Sequence, residues 1–101
     1  MEDEAPVVKI DKDLEDLVPG YLQRRLADVS LIREAVGNND LETIRMLGHT
    51  MKGGGGGYGF DLITEIGRRI EEAAKAGNED EILACANELD QFLATVHIEY
   101  E

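Results

Sequence analysis

From Leu22 to Val96 the large apolar residues recur every three or four positions, and glycine or asparagine punctuates the intervals. Leu22, Leu26, Val29, Ile32 and Val36 make one stripe, closed by Gly37 and Asn38. Ile44, Leu47 and Met51 make the next; Ile63, Ile66, Ile70 and Ala74 follow, stopped by Gly77; Ile82, Ala86, Leu89, Leu93 and Val96 make the last. That spacing buries one face of an α-helix and fits no strand. Start signals agree with it. Pro19 suits a first helical turn, where its missing N–H is not needed, Asn39 with Glu42 and Asn78 with Glu81 have capping-box spacing, and Asp61 can open the third segment. Strand signals are absent, so four amphipathic segments joined by short turns predict an all-α fold, an antiparallel four-helix bundle. Asp11–Leu17 reads as a short helix in front of it. Residues 1–10 lack helical period and are expected to form a poorly ordered arm, which leaves 11–101 as one bundle domain, with no internal repeat and no second domain.

One stretch resists a purely structural reading: Gly48-His49-Thr50-Met51-Lys52, then five glycines, then Tyr58-Gly59-Phe60. At about 100° per residue, Ile44, Leu47 and Met51 fall on the side of the helix opposite His49, while Arg45, Lys52, Gly53 and Gly56 share its side. The histidine therefore faces outward. Glycine inside a helix costs about 1 kcal/mol relative to alanine, so a helix entering this run gives up stability for something else. With Gly53 one turn and Gly56 two turns beyond His49, the side chains that would crowd the ring are missing, and another protein can approach it. Lys52, three residues on, brings an ammonium to the same face, where it can neutralise an oxyanion carried by the imidazole. A phosphoryl group is the candidate.

The small Gly48, the His49-x-x-Lys52-Gly53 core, the run of small residues and Gly59 six positions after Gly53 resemble the histidine-containing phosphotransfer (HPt) domains of bacterial two-component phosphorelays. Leu62-Ile63, Ile66-Gly67 and Ile70-Glu71 resemble that family's next helix. The chain departs from the family in its unbroken glycine run, which leaves the end of the helix open. The resemblance implies a phosphocarrier without ATP-binding or hydrolytic machinery. His49 would be the phosphoacceptor, through Nε2, and Lys52 would stabilise the phosphoryl charge. Arg45, Gly53 and Gly56 would lie where a partner docks, Arg45 also being readable as an ordinary solvated arginine. The implied partners are response-regulator receiver domains, a histidine kinase, or both. The carrier itself would need no cofactor; Mg²⁺ is expected in the partner receiver. Two other readings stay open: a docking module that binds receivers without accepting phosphate, and the phosphoacceptor segment of a chemotaxis-type histidine kinase. Met1 and the lack of any ATP-binding pattern favour a stand-alone carrier.

Composition narrows the partners further. With 22 acidic and 10 basic residues the net charge is −12, which argues against nucleic acid and anionic membranes and for a protein with a basic face. No apolar run has the ~18 residues of a membrane span, and the start Met1-Glu2-Asp3-Glu4 lacks the basic region of a secretory signal. A cytoplasmic monomer is expected. The single Cys85 permits no internal disulfide and sits on the apolar side of the last helix, as a buried thiol would. His97, near Glu99 and Glu101, lacks the spacing of a metal site and reads as structural or solvated. The glycines do not make a nucleotide-binding loop, since Lys52 precedes them and lies on a helix.

Overall fold

The computed structural model describes residues 5–101, so the acidic start Met1–Glu4 lies outside the described residues. Four helices dominate: α1 (Val18–Gly37), α2 (Leu41–Gly55), α3 (Asp61–Ala76) and α4 (Glu79–Thr95). Each packs on its neighbours in sequence, and α1 also packs on α4, so the four close into a ring. Short connections force successive helices to run antiparallel. No helix among the described residues is long and apolar enough to cross a membrane.

Several boundaries follow from local chemistry. Pro19 lies in the first turn of α1. Gly77 ends α3 in the left-handed region (φ 69°), and the Asn78 side chain accepts a hydrogen bond from the Glu81 N–H to start α4. The start of α2 is a correction to the sequence reading. Asp40, not Asn39, is the cap, accepting from the Thr43 N–H and hydroxyl, while Asn39 makes the turn with φ 58°. A carboxylate one position later captures the same orphan N–H groups, and asparagine is among the few residues that tolerate a positive φ.

The largest departures are at the chain's start. No strand was expected, yet β1 (Val7–Ile10) and β2 (His97–Tyr100) pair in parallel, Val7 opposite His97 and Ile10 opposite Tyr100. The expected arm is therefore structured from Val7 onward, its Ile10 only 1% exposed. Asp11–Leu17 yields a single 3₁₀ turn, Lys12–Leu14, instead of a longer helix. The Lys12 N–H is spent on the Glu101 carbonyl, which ties this turn to the far end of the chain.

The buried face of α1 is rotated from the expected stripe. Val18, Tyr21, Arg25, Asp28, Val29, Ile32 and Ala35 are buried, whereas Leu26 is half exposed. Aromatic packing accounts for the rotation. Tyr21 stacks on Tyr58 (ring centroids 4.2 Å apart) and on Phe60 (5.6 Å), and Phe60 meets Phe92 of α4 edge-on. The Arg25 guanidinium lies 4.9 Å from the centre of the Tyr21 ring and pairs with Asp28 at 2.8 Å, so two charged residues occupy the inner face because they satisfy each other there. The stack also pins Tyr58, at the end of the glycine run, onto α1.

Candidate functional site

The glycines near His49 do three different jobs. Gly48 of α2 and Gly67 of α3 meet where the two helices cross. A Cβ on Gly67 would lie 2.5 Å from the Lys52 backbone nitrogen, and one on Gly48 would lie 2.7 Å from the Glu71 backbone nitrogen and 2.8 Å from the Gly67 carbonyl oxygen. Gly55 is similarly closed by Thr64 and the Phe60 carbonyl. These three let α2 and α3 approach nearly backbone to backbone. Gly59 instead supplies a left-handed turn (φ 87°) against Ile10. Gly53 has open space where a side chain would project, and Gly56 nearly so. The helix continues through Gly55, and one 3₁₀ turn, Gly56–Tyr58, follows, which locates the helix end that the sequence left open.

His49 therefore stands on a bare ridge, as expected from its spacing, with its side chain 65% exposed. Leucine at Gly53 would rise from that ridge beside the ring without meeting the core. On the reading the resemblance implies, with His49 exchanging phosphoryl groups with a receiver, Gly53→Leu is expected to slow that exchange by roughly tenfold or more, while its melting temperature stays level or rises, leucine being the better helix former by up to about 1 kcal/mol. Transfer kinetics beside a thermal melt check both halves.

The close α2–α3 crossing brings in a residue to which the sequence pattern assigned no role. Glu71 of α3, its side chain only 6% exposed, accepts from Lys52 Nζ at 2.8 Å through Oε1 and lies 3.1 Å from His49 Nδ1 through Oε2. The hydrogen bond from Lys52 holds the Glu71 carboxyl below its ordinary range against the opposing effect of burial, and the bond to His49 and the charge of Lys75 add to this. An ionised carboxylate can only accept, so Nδ1 carries the proton and donates it to Glu71. In the neutral ring the lone pair then sits on Nε2, which has no hydrogen-bond partner among the described residues. A signal was available in the sequence: Glu71 falls on the buried stripe of α3, four residues after Gly67 and three before Ala74, where an unpaired carboxylate would be costly.

The other named residues sort clearly. Lys52 is at the site, but held by Glu71 instead of standing free beside the ring. Arg45 donates through Nε and Nη2 to Glu42 on its own helix. Cys85 is fully buried and burial pushes its thiol up to about 11, so it is not a thiolate nucleophile at neutral pH. His97 lies exposed on β2, outside the α2–α3 pair. No group of three potential metal ligands occurs among the described residues.

The family model described as Hpt domain matches residues 13–97. The chain belongs to the Hpt family. No curated protein and no solved structure gives a significant match. Membership places the chain in histidine phosphotransfer of two-component signalling, where Hpt domains act as phosphocarriers and interact with response regulators or histidine kinases. The matched span takes in all four helices, the α2–α3 crossing and Glu71, and stops at the first residue of β2.

Proposed function

We propose that this Hpt domain carries a phosphoryl group on Nε2 of His49, taking it from the phospho-aspartate of a receiver domain or from a histidine kinase and passing it to another receiver aspartate. The observation that carries this reading is the bond from Nδ1 to Glu71, which fixes the tautomer and turns the free lone pair to solvent. In transfer from a receiver, the Nε2 lone pair attacks phosphorus in line. The new N–P bond forms as the P–O bond to the aspartate breaks, and the electron pair returns to that carboxylate. Nδ1 keeps its proton, so the ring becomes a phosphorylated imidazolium whose positive charge faces Glu71. Such transfer depends on positioning and charge neutralisation more than on covalent machinery. In this reading the receiver brings the Mg²⁺, and the surface around Arg45, Gly53 and Gly56 is where it docks.

The test is to incubate the protein with phosphorylated receivers from the same genome, one at a time, and follow acid-labile label. Lys52 separates a carrier from a docking module. Its ammonium should matter most as negative charge arrives on the ring. Because Lys52 is 39% exposed, the loss in Lys52→Met should be roughly tenfold, below the ~100-fold or more of a shielded oxyanion donor. Lys52→Arg should retain more of the rate. Binding of unphosphorylated receiver should change little in either variant, and the rate difference should shrink as salt rises. Should Lys52→Met weaken that binding as much as it slows transfer, the lysine is a docking contact.

A further inference from the structure

The Glu71 carboxylate has a third neighbour. Lys75, one turn further along α3, places Nζ 3.8 Å from Oε2, the same oxygen that faces His49 Nδ1. At that distance it is an ion pair but not a hydrogen bond. Its side chain is 59% exposed, against 39% for Lys52 and 6% for Glu71, so Lys75 is a solvent-exposed cation beside a nearly buried anion.

We propose that Lys75 is a positioning residue for phosphoryl transfer that acts through Glu71. In the resting protein Lys52 is bonded to Glu71 Oε1, so the cation needed by the arriving phosphoryl group is already engaged. When the group forms its bond to Nε2, two negative charges appear on the outer face and draw Lys52 outward. The phosphorylated imidazolium then holds Glu71 through Nδ1, but the nearly buried carboxylate has lost the hydrogen bond from Lys52, which is costly there, and it would pull Lys52 back. Lys75 closes on the carboxylate and offsets that pull. The order Glu71 then Lys75, four residues apart on one helix, is the favourable one for such a pair. Arg45, a further cation whose charge reaches Glu71, is engaged by Glu42 through two nitrogens and does not fill the role.

This inference rests on His49 being the phosphoacceptor, and the test separates the two. Phosphoramidate is used as donor, so that no receiver docks and only chemistry at the ring is read. Its phosphorus is attacked by Nε2 and ammonia leaves. Lys75→Met should slow labelling about two- to fivefold, the size expected of an exposed ion pair, and Lys75→Arg should restore most of the rate. In a Glu71→Gln background, Lys75→Met should add nothing, because the carboxylate it serves is gone. In the intact wild-type protein, the Lys75 ammonium protons seen by ¹⁵N-resolved NMR should exchange more slowly after phosphorylation, as the pair tightens. Labelling of Lys75→Met at the wild-type rate, an equal slowing in the Glu71→Gln background, or unchanged Lys75 exchange would overturn the role of Lys75 while leaving His49 intact. A wild-type protein that takes no acid-labile label would overturn both.

Discussion

A His49→Gln variant should fold like the wild type and take up no acid-labile phosphoryl label from any donor. The ring is 65% exposed, and its single hydrogen bond among the described residues runs to Glu71, so the core, built on Ile44 and Met51 from the same helix, does not depend on it. Glu71 keeps Lys52 at 2.8 Å and is not stranded. Stability should therefore stay within about 0.5 kcal/mol of wild type, as for surface substitutions generally. Labelling should vanish, because glutamine has no basic nitrogen to attack phosphorus. His97→Gln should label normally. Label on the His49 variant at the wild-type rate would show that another residue is the acceptor.

Gly67→Ala should be the most damaging single-methyl change in the site. Alanine is the better helix former by up to about 1 kcal/mol, so secondary-structure propensity predicts a gain. The crossing predicts the reverse. The new Cβ would sit 2.5 Å from the Lys52 backbone nitrogen, 2.8 Å from the Gly48 carbonyl oxygen and 2.9 Å from Met51 Cβ. None of these is the free end of a side chain, so α2 and α3 must separate. Overpacking of this kind costs about 1–3 kcal/mol. A net loss of about 1–2 kcal/mol corresponds to a fall in melting temperature of roughly 4–15 °C for a domain of this size. The separation also draws Lys52 and His49 away from Glu71, so labelling should slow in the fraction that remains folded. Gly53→Ala is the control: nothing lies within 4 Å of its Cβ, and it should be neutral or stabilising. Equal melting temperatures for the two variants would mean that the crossing has room the geometry denies.

Helical period, Pro19, Gly77 and the Asn78 cap are local signals, and the four helices they predict are present. The face of α1 was not local: Tyr21, Arg25 and Asp28 point inward because of Tyr58, Phe60 and each other, and nothing in a sequence period ranks an arginine above Leu26 for burial. Strand β1 was invisible because its partner lies at the other end of the chain, 90 positions on. The outward face of His49 and the bare ridge beside it were legible, since both follow from spacing along one helix. The jobs of the glycines were not: Gly48, Gly55 and Gly67 are closed by another element, Gly53 is open, and only the packing of α2 on α3 distinguishes them. Glu71 belongs to the same class. Its position on the buried stripe was readable, but its partners sit across that interface.

The most direct test of the account is the ¹H–¹⁵N spectrum of the histidine rings in phosphorylated, ¹⁵N-labelled protein. In the proposed reading Glu71 sets the tautomer of one imidazole and Lys52 meets the charge that arrives on it, and the two ring nitrogens report the state of that ring separately. The account predicts phosphorus coupling at Nε2 of His49, a protonated Nδ1 held by Glu71, and a His97 ring unchanged from the free protein. Phosphorus on Nδ1, or on any residue other than His49, would contradict it.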